Sequence, residues 1–264
     1  MQAPTWSQAM TMTPPALSYH NPEFVDSEQA RPLRILSEYL APMRAFCEQR
    51  VRDTVVFFGS ARASAQGPLG RYVADAKELA RLVTQWSLSL PDSGHRLVVC
   101  SGGGPGIMEA ANQGAALAGG RSIGLNIGLP NEQRPNPYIT PELSFEFHYF
   151  FMRKLWFAHL ARAMVVFPGG FGTLDEFFEI VTLAQTRKLD RQIPIVLYGS
   201  AYWKEIINFD ALVRHEVIER SDLDLIAFVD DPRAALDLLK SRISIGTAAP
   251  GDLPDFASST RPPR

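Results

Sequence analysis

Three glycine-rich stretches each follow an apolar run and lead into helical periodicity: Phe58-Gly59-Ser60-Ala61-Arg62, Ser101-Gly102-Gly103-Gly104-Pro105-Gly106-Ile107-Met108-Glu109, and Pro168-Gly169-Gly170-Phe171-Gly172-Thr173-Leu174-Asp175-Glu176. Glycine at such a place lets the backbone approach a ligand and adopt positive φ, and the free N–H groups of the next helix favour an anion. The chemistry they support is the holding of a phosphoryl group. One glycine pair would equally serve as a tight strand-to-helix turn, but two dense clusters on separate strands argue for a ligand crevice. A dinucleotide fingerprint, G-x-G-x-x-G, fails because its last position falls on Ile107 counted from Gly102 and on Glu109 counted from Gly104. A Walker loop fails because no lysine stands between Gly172 and Thr173 to reach β and γ phosphates. A monophosphate is the better match.

Positioning these turns requires an alternation of strands and helices. Val55 to Phe58, Leu97 to Cys100, Ile123 to Ile127, Phe145 to Phe147, Met164 to Phe167, Ile193 to Tyr198 and Ile226 to Val229 read as strands. Several are unbroken apolar runs, as in parallel strands covered on both faces. Helical patterns lie between them at Tyr72 to Trp86, Ile107 to Ala118, Phe151 to Ala161, Leu174 to Leu183, Trp203 to Arg214 and Pro232 to Lys240. The alternation predicts an α/β fold with a doubly wound, mainly parallel sheet and helices on both faces, whose ligands bind beyond the carboxyl ends of the strands. Upstream, Leu33, Leu36, Leu40, Met43 and Phe46 recur at helical spacing and predict an additional N-terminal amphipathic helix between Ser27 and Arg52. Residues 27–245 then form a single domain, and the aperiodic, Pro- and Ser-rich ends, 1–26 and 246–264, are expected to be flexible tails.

The bulk properties narrow the partners. With 26 basic and 28 acidic residues among 264, the net charge of −2 provides no general field for nucleic acid or an acidic membrane, so a phosphate must be held by local groups. The two cysteines, Cys47 and Cys100, make no disulfide framework and no metal-ligand spacing, which fits a reducing cytoplasm. Met1 to His20 lacks the apolar run of a secretory signal, and no segment reaches the roughly 18 apolar residues of a membrane span. His20, His95, His148, His159 and His215 form no metal-binding pair, so they are read as structural or solvated and no metal is expected.

The third glycine stretch, residue for residue, resembles the P-G-G-x-G-T-x-x-E signature of the Lonely Guy (LOG) family, formerly often labelled "possible lysine decarboxylase". Ser101 to Asn112 is similar to the G-G-G-x-G-I-M-E-A-A-N element of its longer members, and Phe150-Phe151-Met152-Arg153-Lys154 to their F-F-x-R-K segment. The resemblance runs from about Thr54 to Lys240. Shorter plant-type members carry M-H-x-R-K where this chain has phenylalanines at 150 and 151, and G-L-M-G where it has Ile107-Met108-Glu109-Ala110; these departures bear on substrate preference more than on reaction type. The resemblance implies a Rossmann-like domain, usually at least a homodimer, that hydrolyses the N-glycosidic bond of nucleoside 5′-monophosphates without a metal or organic cofactor. AMP and cytokinin riboside 5′-monophosphates are the candidate substrates; a carrier of nucleotide or molybdenum cofactor on the same fold is the alternative. Lysine decarboxylation would ordinarily require pyridoxal phosphate on a lysine, and Lys154 beside Arg153 is better explained by phosphate or ribose contact.

Cleaving an N-glycosidic bond builds oxocarbenium character on the sugar, which calls for negative charge near the ring, a placed water and a polar group for the leaving base. Glu176 is the first catalytic candidate. Its spacing from Thr173 is also that of a capping box, which spacing alone favours and the resemblance reverses. Arg153 is the second: its planar fork can bridge a ribose hydroxyl, a phosphate and the Glu176 carboxylate, and such pairing would keep Glu176 ionised at neutral pH. Gly169, Gly170, Gly172 and Thr173 are read as the phosphate cradle, with Ser60, Gly103 and Gly104 at the same crevice. Glu109 either contacts base or ribose or simply faces a helix dipole, Glu179 either lines the site or is solvated, and Met108 and Met152 either wall a purine ring or belong to the core. The N-terminal helix and the aromatic run Phe145 to Phe157 offer surface to a partner chain.

Overall fold

Alternate residues of the strands feed two different cores. Val56, Phe58, Cys100, Met164, Val166, Ile195 and Leu197 belong to one apolar cluster, whereas Val55, Phe57, Val99, Ala163, Val165, Val196 and Tyr198 belong to the other. This period of two, with both sets buried, is what an apolar run produces when helices cover each face of a sheet. A computed structural model describes residues 15–91, 96–128, 134–189 and 192–244. Its main elements follow in the order α1 (Pro22–Val25), α2 (Arg31–Glu48), β1 (Thr54–Phe58), α3 (Gly70–Ser89), β2 (Val98–Ser101), α4 (Ile107–Leu117), β3 (Ser122–Ile127) and β4 (Ser144–Phe147). There follow α5 (Phe150–Leu160), β5 (Ala161–Val166), α6 (Phe171–Gln185), β6 (Ile195–Tyr198), α7 (Ser200–Ile206), α8 (Phe209–Arg214), β7 (Ile226–Val229) and α9 (Pro232–Arg242).

The seven strands form one parallel sheet in the order β4-β3-β2-β1-β5-β6-β7. The chain therefore winds outward from β1 to β4, then returns to lay β5 against the other side of β1. Connections leave β1 and β5 in opposite directions, so a crevice opens at their carboxyl ends. Leu79, Val83, Ile107, Ala110 and Leu239 bring α3, α4 and α9 onto one face; Phe46, Trp156, Phe157, Phe177 and Trp203 bring α2, α5, α6 and α7 onto the other. Each such aromatic contributes roughly 1.5–3 kcal/mol by leaving water. The sheet and its winding agree with the expectation from sequence.

The elements differ in local detail from the sequence pattern. The pattern from Trp203 to Arg214 is two helices, because the Asn208 side chain accepts from Ala211 N and caps a new start at Phe209. The N-terminal stretch read as a tail is helical at Ser18–His20 and Pro22–Val25, tied down by Arg34 Nη1, which donates to Val25 O and Ser27 O; residues 1–14 of that tail, and the C-terminal tail read over 246–264, lie outside the described residues. Helix α2 packs Ile35, Tyr39, Met43 and Phe46 against the core but leaves Leu33, Leu36 and Leu40 exposed. Among the described residues no helix is long and apolar enough to cross a membrane.

Candidate active site

All three glycine turns meet at Ser60. Its N–H donates to Pro168 O (3.0 Å) on the third turn, and its carbonyl accepts from Ile107 N (3.1 Å) at the end of the second. The contacts are close enough to require glycine at Gly169, where a Cβ would stand 2.2 Å from Thr173 Oγ1 and 3.0 Å from Ser60 N. Gly170 and Gly172 face open space instead. Helix α6 starts at Phe171 with Gly170 as its N-cap, so the orphan N–H groups of its first turn belong to the third glycine stretch. Thr173 sits inside that turn and is buried. The capping box suggested by Thr173 and Glu176 is absent: the helix opens two residues before Thr173, and the Glu176 carboxylate points to another partner.

That partner is Arg153 on α5. Arg153 Nη2 lies 2.5 Å from Glu176 Oε1, with 10% and 11% of the two side chains exposed. Helix α5 enters β5 and α6 leaves it on the same face, and this puts the two side chains opposite each other beside the carboxyl end of the sheet. The guanidinium also lies over the rings of Phe150 and Phe157, at 5.4 and 5.5 Å. Its Nε is buried with no hydrogen-bond partner among the described residues, and its Nη1 reaches toward the second turn, 4.0 Å from where a Gly102 Cβ would stand. A buried, unsatisfied guanidinium donor is costly unless a ligand or water meets it.

Burial pushes the Glu176 carboxyl up, Arg153 pulls it down, and Asp175 and Glu179 push it up again against Lys154, with the balance at about 7. Pairing with Arg153 thus does not hold Glu176 fully ionised at neutral pH, as the sequence reading expected; loss of hydration outweighs the guanidinium. Such a carboxyl is poised near the working pH of a general base. Cys100 beneath it is buried, and burial followed by the Glu176 charge raises its thiol far above the usual range, so it is an inert core residue.

Lys154, read from sequence as a phosphate or ribose contact, lies beside Glu176's neighbours: its Nζ is 2.8 Å from Asp175 and 2.9 Å from Glu179. Burial pulls its ammonium down, but the Asp175 and Glu179 hydrogen bonds raise it on balance, which is contrary to what a Schiff-base lysine needs. Met152 belongs to the buried core, whereas Met108 is half-buried with its sulfur directed at Gly102. Glu109 is half-buried in the first turn of α4.

Two residues that sequence reasoning missed hold the turns in place. Asn136 Nδ2 donates to Gly103 O (3.0 Å), Gly104 O (3.2 Å) and Asn112 Oδ1 (2.9 Å), while Ser101 Oγ donates to Asn112 Oδ1 (2.7 Å). Gly103 has φ of 74°, and a Cβ there would collide with Asn126. Tyr202 on α7 donates its hydroxyl to Gly169 O (2.9 Å). Among the described residues no group of three or more His, Cys, Asp or Glu is placed to hold a metal ion.

The family model described as "Possible lysine decarboxylase" matches residues 108–239, half of the chain. The chain belongs to this family, the LOG family. Its matched segment includes Arg153, Glu176 and the third glycine turn. The probable cytokinin riboside 5′-monophosphate phosphoribohydrolase LOGL6 of Oryza sativa subsp. japonica is 27% identical over 208 residues, covering 77% of this chain and 76% of the relative. The pyrimidine/purine nucleotide 5′-monophosphate nucleosidase of Escherichia coli (strain K12) is 28% identical over 152 residues, 51% of this chain and 32% of that protein. The X-ray structure of TM1055 superposes with a TM-score of 0.52 at 21% identity, covering 72% of this chain and 99% of that one, and shows the same fold.

Proposed function

We propose that this LOG-family chain hydrolyses the N-glycosidic bond of nucleoside 5′-monophosphates, releasing free base and ribose 5-phosphate. The carrying observation is the buried Arg153–Glu176 pair beside the third glycine turn. The names of the rice and Escherichia coli relatives, which both act on nucleoside 5′-monophosphates, support the same reading. Substrate phosphate sits on the backbone donors of Gly169, Gly170, Gly172 and Thr173 at the start of α6, near Ser60. The ribose lies across Arg153, whose unpartnered Nε and crevice-facing Nη1 meet its hydroxyls or phosphate. Ionised Glu176 orients the attacking water, takes up its proton and offsets positive charge growing on the anomeric carbon. Met108 and Glu109, with Gly103 and Gly104, form the wall for the base. The substrate class covers AMP and cytokinin riboside 5′-monophosphates alike, and the site needs no cofactor. Exposed Leu33, Leu36 and Leu40 on α2, together with Phe150 and Phe151 on α5, support assembly into at least a homodimer in the cytoplasm.

Chromatography of free base after incubation with AMP and with N6-isopentenyl-AMP tests the reaction and ranks the two substrates. Release of base from at least one, abolished in Glu176→Gln, is expected; ligand retained intact by both proteins would establish a carrier instead.

A further inference from the structure

We propose that Tyr202 is a positioning residue for the phosphate cradle, fixing the direction of the Gly170 N–H through its bond to the Gly169 carbonyl. The inference rests on the nucleotide reading above and extends it to a residue outside the glycine motif. Helix α7 follows β6, the neighbour of β5 on the side away from β1, so Tyr202 reaches Gly169 from the flank opposite the crevice. No cis peptide occurs among the described residues, and in a planar trans peptide the carbonyl and the N–H point in opposite directions. With Gly169 O held toward α7, the Gly170 N–H is aimed at the β1 side, where Ser60 lies.

The neighbouring peptides are held as well. Pro168 O accepts from Ser60 N (3.0 Å) and Gly170 O accepts from Leu174 N (3.0 Å), so three successive carbonyls have a donor. The outer two donors are backbone groups fixed by sheet and helix. The middle one is a side chain, and it holds the peptide between two glycines, where no Cβ resists rotation. Without the hydroxyl, that unit is free to turn its N–H away from the anion. Tyr202 itself is well supported: it packs against the main core with its ring 5.2 Å from Trp203, and burial pushes the phenol up, which keeps it protonated and able to donate.

Tyr202→Phe removes the hydroxyl and leaves the ring. Titration calorimetry in a Glu176→Gln background, which does not turn AMP over, with and without Tyr202→Phe, compares AMP with adenosine and separates the phosphate contribution from the rest of the ligand. Affinity for AMP is expected to fall about three- to tenfold, the value of one net hydrogen bond, while affinity for adenosine is unchanged. Equal losses for both ligands, or no loss for AMP, would overturn the assignment. Glu176→Gln protein with Tyr202 intact that binds adenosine as well as AMP would sink the phosphate site itself, a result distinct from an unaltered Tyr202→Phe variant. The Gly170 amide resonance in ligand-free protein gives an independent reading of peptide direction: it is expected to move in Tyr202→Phe, and an unmoved signal would count against the proposal.

Discussion

The guanidinium of Arg153 and the carboxylate of Glu176 form a 2.5 Å ion pair across the two helices that flank β5, and about nine-tenths of each side chain is withdrawn from bulk water. A pair so placed is a weak source of stability, because desolvation offsets much of its attraction. Its value lies in holding two reactive groups in one geometry.

Glu176→Gln keeps the shape and one acceptor oxygen but cannot take a proton. Base release from a nucleoside monophosphate should fall by roughly 100-fold or more in kcat, with KM changed far less. Arg153→Met should lower activity too, and should also weaken nucleotide binding. A Glu176→Gln enzyme with wild-type turnover in a stopped chromatographic assay would remove this carboxyl from the mechanism.

The elevated Glu176 carboxyl, about 7 in the fold against an ordinary 4.5, links stability to pH. The native protein binds this proton more tightly than the unfolded chain. The associated stability is fully present below about 4.5 and is lost as pH rises through about 7. The difference in Tm between wild type and Glu176→Gln should therefore shift against wild type between about pH 4 and about pH 8. Activity runs the other way: kcat/KM should rise with pH along an acid limb centred near 7 in wild type. Parallel melting and rate profiles check both signs.

Lys154 neutralises Asp175 and Glu179, both of which push the Glu176 carboxyl up. Replacing it by Met leaves those charges uncompensated, so the acid limb of the rate profile should move to higher pH, and Lys154→Arg should restore it. An acid limb that stays in place in Lys154→Met would mean that the lysine acts only as a strut between α5 and α6.

Gly169→Ala places a Cβ against Thr173 Oγ1 and the Ser60 backbone. Overpacking of this kind costs about 1–3 kcal/mol, or very roughly 2–12 °C in Tm for a domain of this size. Nucleotide affinity should fall with it, whereas Gly172→Ala, where nothing stands within 4 Å, should melt almost normally. Differential scanning calorimetry of the two variants gives the contrast directly.

Sequence revealed the strands because their apolar runs are buried on both faces, and it revealed Arg153 and Glu176 because each sits in a short motif. It did not reveal what those groups feel. The rise of Glu176 comes from burial under α5 and from acidic neighbours on its own helix, and composition carries no sign of that sum. Asn136 and Tyr202 were invisible for a related reason. Each acts on a glycine carbonyl more than thirty residues away in the chain, through a single side chain that no local motif marks. On α2 the sequence suggested a surface for a partner but not which residues form it: Leu33, Leu36 and Leu40 share helical spacing with the inward-facing set, and only packing tells the two faces apart.

Strand β5 is the spacer between the two charged groups, with Arg153 before it and Glu176 after it. One inserted residue in Ala161–Val166 would reverse the faces of everything downstream in the strand and slide α6 by about 3.3 Å, far beyond the reach of a hydrogen bond. The six-residue strand acts as a gauge block: its length sets the distance between the two helix ends that carry the charges.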